Sequence, residues 1–257
     1  MHKDAFLTPG ESRPPPPLDL QSALFLDVDG TLLKIASRPE LVHVPRELPA
    51  LIARLSEQRQ GALALISGRP LAELDRLFRP WRGAAAGVHG VERRRADGTL
   101  DRIDDSASEA ALDSIRPRLT AFAAGGSGLI VEDKGATLAL HYRGVPDRAP
   151  EVRAYAESLQ REAGVALRLI KGKMVVEFQP RHANKGSAIA AFLAEPPFVG
   201  RRPVFVGDDA TDEDGFAEVR NLGGFSIRVG SHCETVADYR LPSVEAVLAW
   251  LMKTGLP

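Results

Sequence analysis

Cysteine is nearly absent: 257 residues contain one, Cys233. A single thiol closes no internal disulfide, so the composition suits a reducing compartment. Cys233 itself reads as a small buried hydrophobe rather than a nucleophile. A surplus of either charge is missing too. Lys plus Arg is 33 and Asp plus Glu is 34, a net charge of −1. That balance excludes non-specific binding to nucleic acid or to an anionic membrane, and any anion-binding charge must be local. No stretch approaches the ~18 continuous apolar residues of a membrane span. The N-terminal "MHKDAFLTPGESRPPPPLDL" has no apolar run of signal-peptide type. The expectation is a cytoplasmic protein with no nucleic-acid or membrane partner, compatible with a monomer. Residues 1–20, with the Pro14–Pro17 run, are expected to form a flexible, Pro-rich lead-in.

Short apolar runs alternate with longer amphipathic ones. "SALFLDV" (22–28), "GALALISG" (61–68), "RPVFVGDD" (202–209) and "FSIRVG" (225–230) read as buried strands, with "AAAGVHG" (84–90) a shorter one. Residues 45–60 read as a helix, with Leu48, Leu51, Ile52 and Leu55 on one face. Continuous apolar strands separated by helices imply a parallel sheet covered on both faces. The middle differs: a helix from Ser106 to about 124, alternating strands over 128–135 and 137–144, a helix over 149–163, then strands over 166–172 and 173–180. That pattern predicts an open α/β layer, inserted as residues 105–181 into a parallel core of 21–104 and 182–257.

"LFLDVDGTLL" (24–33) ends an apolar strand with Asp27 and Asp29, followed by Gly30 and Thr31. A strand end with two solvated aspartates is the plainer reading of D-x-D alone; the following Gly-Thr makes the pattern more specific. Carboxylates at i and i+2 share a face, at the sheet edge where open α/β folds bind ligands. Their repulsion is expected to raise one pKa and to divide their labour: one ionised nucleophile, one protonated acid. A divalent cation would relieve the remaining charge. "VFVGDDATDED" supplies further oxygens from Asp208, Asp209 and Asp212, and carboxylates in this number favour Mg²⁺. An acidic first helical turn accounts for Asp212 without any function. Two other segments suit phosphate oxygens: Ser67, Gly68 and Arg69 after the second strand, and Lys185 at a helix start.

These motifs, in this order, resemble the haloacid dehalogenase-like phosphatase superfamily. "ISGRP", "GVHGVERR", "VEDKGATLALHYR" and "KGKMVVEFQPRHANKG" are similar to blocks of the trehalose-6-phosphate phosphatases. The resemblance implies a Rossmann-like hydrolase core with an inserted C2-type α/β cap. It implies Mg²⁺-dependent hydrolysis of trehalose 6-phosphate through an aspartyl-phosphate, the last step of trehalose biosynthesis. Carried over residue by residue, Asp27 is the nucleophile and Asp29 the general acid and base. Ser67 and Lys185 hold phosphoryl oxygens, with Thr31, Gly68 and Arg69 as further contacts. Asp27, the Asp29 carbonyl and Asp208 bind the metal, with Asp209 and Asp212 as supporting or alternative ligands. Glu132, Lys134, Arg143, Lys173 and Glu177 contact the sugar from the cap. His141 reads as support, and His89 as a residue orienting a loop. Another sugar phosphatase, a hexose phosphomutase or a non-catalytic sugar-phosphate-binding relative are the alternatives.

Overall fold

A computed structural model describes residues 14–36, 41–102, 106–125, 128–172, 174–230 and 234–253. Cys233 and Lys173 lie outside the described residues. The chain divides into two compact units: Met1–Asp101 with Lys185–Pro257, and Arg102–Asn184. The sequence draws the insert as 105–181.

The first unit contains β1 (Ala23–Leu26), α1 (Leu48–Gln58), β2 (Leu63–Ile66), α2 (Leu71–Leu77), β3 (Ala84–Gly87), β4 (Glu92–Arg94) and β5 (Leu100–Arg102). After the insert, which runs from α3 (Ser106–Ala124) to β9 (Val175–Pro180), come α5 (Lys185–Leu193), β10 (Pro203–Gly207), α6 (Glu213–Asn221), β11 (Phe225–Val229), β12 (Tyr239–Leu241) and α7 (Val244–Lys253). Among the described residues the strands form one sheet in the order β12-β11-β10-β1-β2-β3-β4-β5. It is parallel from β12 to β3, and β4 runs antiparallel to β3.

The apolar strands are continuous because both faces are buried. Leu24 and Leu26 pack with Leu48, Ile52 and Leu55 of α1 and with Val247 and Leu251 of α7. Phe25 faces the other way, into Ile189 and Phe192 of α5 and Phe216 of α6. Its ring stacks on Phe198 with centroids 5.5 Å apart. Losing such a ring costs about 3–5 kcal/mol, so this packing holds the strand ends in place.

The expected N-terminal lead-in needs correction over 14–20. Leu18 is buried in the α1–α7 layer, and the Pro16 carbonyl accepts the Trp250 indole N–H at 3.0 Å. One apolar side chain and one free carbonyl suffice to anchor a proline segment, whose backbone has no partner within itself.

The second unit has α3, β6 (Ile130–Asp133), β7 (Leu138–His141), α4 (Ala149–Ala163), β8 (Leu167–Gly172) and β9. Its antiparallel sheet has the order β6-β7-β9-β8. Leu138, Leu140, Val176 and Phe178 pack against Leu112, Ile115 and Leu119 of α3 and Val152 and Leu159 of α4. Period-2 alternation therefore sends Glu132, Ala139, His141 and Glu177 to the opposite face.

Candidate active site

β10, β1 and β2 are neighbours in register, so their carboxyl ends bring Asp208, Asp27 and Ser67 together. Gly30 follows with φ +87°, and a Cβ there would collide with the Asp208 carboxylate. Only glycine lets this turn close against β10.

Lys185 opens α5 and points into this edge. Its Nζ donates to Asp27 Oδ1 at 2.7 Å and to Asp212 Oδ1 at 2.6 Å. The three side chains are 3%, 5% and 0% exposed, respectively. Asp212 Oδ2 accepts the backbone N–H groups of Asp208 and Asp209, both at 2.8 Å. Asp209 serves locally: its side chain accepts from the Ala210 N–H and caps the short 3₁₀ turn Ala210–Asp212.

Asp27, Asp208 and Asp212 each present an oxygen, all within 4.8 Å of one another. Asp212 has both oxygens engaged, whereas Asp208 Oδ1 is closed to solvent with no hydrogen-bond partner among the described residues. A buried, unpartnered carboxylate oxygen is costly, and a hard divalent cation satisfies it. The donor set therefore fits a hard divalent cation. Thr31 Oγ1 is likewise buried without a partner there.

Burial pushes the carboxyls of both Asp27 and Asp208 above the ordinary carboxylate range. For Asp27 the Lys185 ammonium opposes this and Asp212 adds to it, with Asp29 the smallest contributor. The expected Asp27–Asp29 repulsion is thus a minor effect. Asp27 turns into the protein toward Lys185, and Asp29 turns away to Arg69. Burial alone would lower the Lys185 pKa, but Asp212 and Asp27 override it and hold the ammonium charged.

Ser67 is buried, and its Oγ accepts the Arg69 N–H at 3.1 Å. Gly68 lies under the His89 ring, where a Cβ would clash. Val88 and His89 adopt φ of 47° and 55°. Their N–H groups donate to Arg69 O and Ser67 O, tying this loop to the end of β2. Arg69, expected among the phosphate contacts, has its guanidinium on Asp29 and Glu73. Glu73 was absent from the sequence reading, although its i,i+4 spacing from Arg69 is visible there.

In the second unit Glu132, Ala139 and Glu177 form one row across β6, β7 and β9. The small Ala139 separates two acidic side chains, and Lys134 bridges them, 3.9 Å from Glu132 and 3.4 Å from Glu177. Thr137 donates to Glu177 Oε1 at 2.9 Å, a contact the sequence reading missed because it depends on strand register. His141 Nε2 meets Glu132 Oε2 at 2.9 Å. That bond, then Lys134, lowers the Glu132 pKa against the effect of burial. Arg143 sits in the exposed turn after β7, outside this row.

A parallel core ending in strand-end carboxylates, with a separate α/β unit, defines a haloacid dehalogenase-like phosphatase. The chain belongs to the trehalose-phosphatase family, whose model matches residues 25–245. It is 47% identical over 226 residues to a probable trehalose-phosphate phosphatase of Sinorhizobium fredii, covering 88% of this chain and 84% of that one. It is 42% identical over 236 residues to the trehalose-6-phosphate phosphatase of Escherichia coli, covering 92% and 87%. Its fold matches the C-terminal domain of the Candida albicans trehalose-6-phosphate phosphatase with a TM-score of 0.78, at 22% identity over 91% and 92% of the two chains.

Proposed function

We propose that this chain hydrolyses trehalose 6-phosphate to trehalose and phosphate. The observation that carries the reading is the meeting of Asp27, Lys185 and Asp208 at one sheet edge, in a chain of this family.

In the proposed reaction an Asp27 carboxylate oxygen attacks phosphorus, and the bond to the sugar oxygen breaks. Asp29 gives its proton to the departing alkoxide. The Asp29 carboxylate then takes a proton from water, whose oxygen attacks the phosphorus of the aspartyl-phosphate. The bond to Asp27 breaks, phosphate leaves and both residues are restored. Lys185 keeps Asp27 oriented and, with Ser67, faces the phosphoryl oxygens as charge spreads over them. Asp27 and Asp208, with Asp212 beside them, would hold Mg²⁺, which supplies positive charge against the phosphoryl group.

The inserted unit acts as the cap that chooses the sugar. Glu132, Lys134 and Glu177 present donors and acceptors on one sheet face, as a polyhydroxylated disaccharide requires; Arg143 and Lys173 are sugar contacts by the family resemblance alone. The protein works in the cytoplasm. Phosphate release from trehalose 6-phosphate with and without Mg²⁺ tests the reading: release is expected only with the metal, and none under either condition overturns it.

A further inference from the structure

Arg69 stands in the stretch that should hold phosphate, yet its side chain is committed elsewhere. Nε lies 2.6 Å from Asp29 Oδ2 and Nη2 lies 2.8 Å from Asp29 Oδ1, a two-point grip. Nη1 lies 2.8 Å from Glu73 Oε2, one turn along. The backbone is pinned as well, by Ser67 Oγ on its N–H and the Val88 N–H on its carbonyl. The Arg69 side chain is 8% exposed and that of Asp29 35%, so of the pair it is Asp29 that opens to the solvent side. Three guanidinium N–H groups thus form charge-assisted bonds of fixed, planar geometry, and the group cannot swing toward a phosphate without breaking them.

We propose that Arg69, itself fixed by Glu73, is a positioning residue that aims the Asp29 carboxyl at the leaving oxygen and does not bind the phosphoryl group. The proposal rests on the acid and base role of Asp29 given above. The grip takes one lone pair on each Asp29 oxygen and leaves a second one for the proton being transferred. Glu73 shares the guanidinium and keeps it from rotating out of the Asp29 plane.

Leaving-group chemistry separates this role from phosphate binding. A sugar alkoxide needs a proton as it leaves, whereas p-nitrophenolate hardly does. The test compares kcat/KM for trehalose 6-phosphate and for p-nitrophenyl phosphate, with the inhibition constant of inorganic phosphate, in wild type, Arg69→Lys, Arg69→Met, Glu73→Gln and Asp29→Asn. General acid catalysis contributes about 10²–10⁴-fold, so Arg69→Met should lose on the order of 100-fold on the sugar ester and under about 5-fold on the aryl ester. Arg69→Lys should show the same split, because an ammonium cannot reproduce the fork. Glu73→Gln should show it more weakly. Inhibition by phosphate should not change. Retained aryl turnover doubles as the folding control, and Glu73→Gln serves where an Arg69 variant fails to fold. Equal losses on both esters with weaker phosphate inhibition, or no loss at all, overturn the proposal. An Asp29→Asn enzyme without the split sinks the reading of Asp29 itself, whereas a split there and none in the Arg69 and Glu73 variants sinks only the positioning role.

Discussion

Lys185 Nζ lies 2.7 Å from Asp27 Oδ1, although 158 residues separate them, and both side chains are closed to solvent. The same ammonium touches Asp212 at 2.6 Å. Removing one member of a buried ionic cluster leaves the others uncompensated. Lys185→Met should therefore destabilise the metal-free protein by about 3–5 kcal/mol, as well as lowering turnover. Denaturant unfolding without divalent ions checks this; an unchanged midpoint would show that the lysine is not the counter-charge.

Asp27→Asn keeps the shape and one acceptor oxygen but removes the attacking charge. Phosphate release should fall to background while the circular dichroism spectrum stays native. Residual turnover near the wild-type rate would remove Asp27 from the nucleophile role.

Gly30 combines φ +87° with the Asp208 carboxylate in the space a Cβ would need. Gly30→Ala should cost about 1–2 kcal/mol in backbone strain. A displacement of about 1 Å at the site should also lower turnover by roughly 100-fold. Thermal denaturation and phosphate release read the two effects separately; a fully active, equally stable variant would contradict this turn geometry.

The unpartnered Asp208 oxygen makes a statement about metal. Mg²⁺ binding to the folded state should raise the melting temperature with concentration, by simple mass action. Chelation should reverse the rise, and Asp208→Asn should nearly abolish it. A shift of the same size in that variant would put the ion elsewhere.

In the second unit Glu177 receives both Lys134 and Thr137. Glu177→Gln should reduce kcat/KM for trehalose 6-phosphate by about 10–100-fold, the size of one lost charge-assisted hydrogen bond to a substrate. Turnover of p-nitrophenyl phosphate should stay the same. Parallel losses on both substrates would mean that the glutamate supports the fold of its unit rather than the choice of sugar.

Much of this architecture was legible because burial leaves a mark on composition. β1, β2 and β10 are apolar on both faces and read as unbroken runs, and the motif residues follow their ends. The hairpin of β4 and β5 was not legible: Glu92–Arg94 and Leu100–Arg102 are three-residue, charge-bearing strands at one end of the sheet, with no apolar alternation. Within the site, "GDDATDED" offers several carboxylates, and only the 3₁₀ turn decides that Asp212 faces Lys185 while Asp209 caps the turn. The direction of the Arg69 guanidinium was equally hidden. It follows from the adjacency of β1 and β2, which sets Asp29 beside it.

The central claim is a phosphatase selective for one disaccharide phosphate. Its most direct test is kcat/KM for trehalose 6-phosphate beside glucose 6-phosphate and sucrose 6-phosphate, with saturating Mg²⁺. The account predicts that trehalose 6-phosphate is hydrolysed far faster than the other two; equal turnover of all three would contradict it.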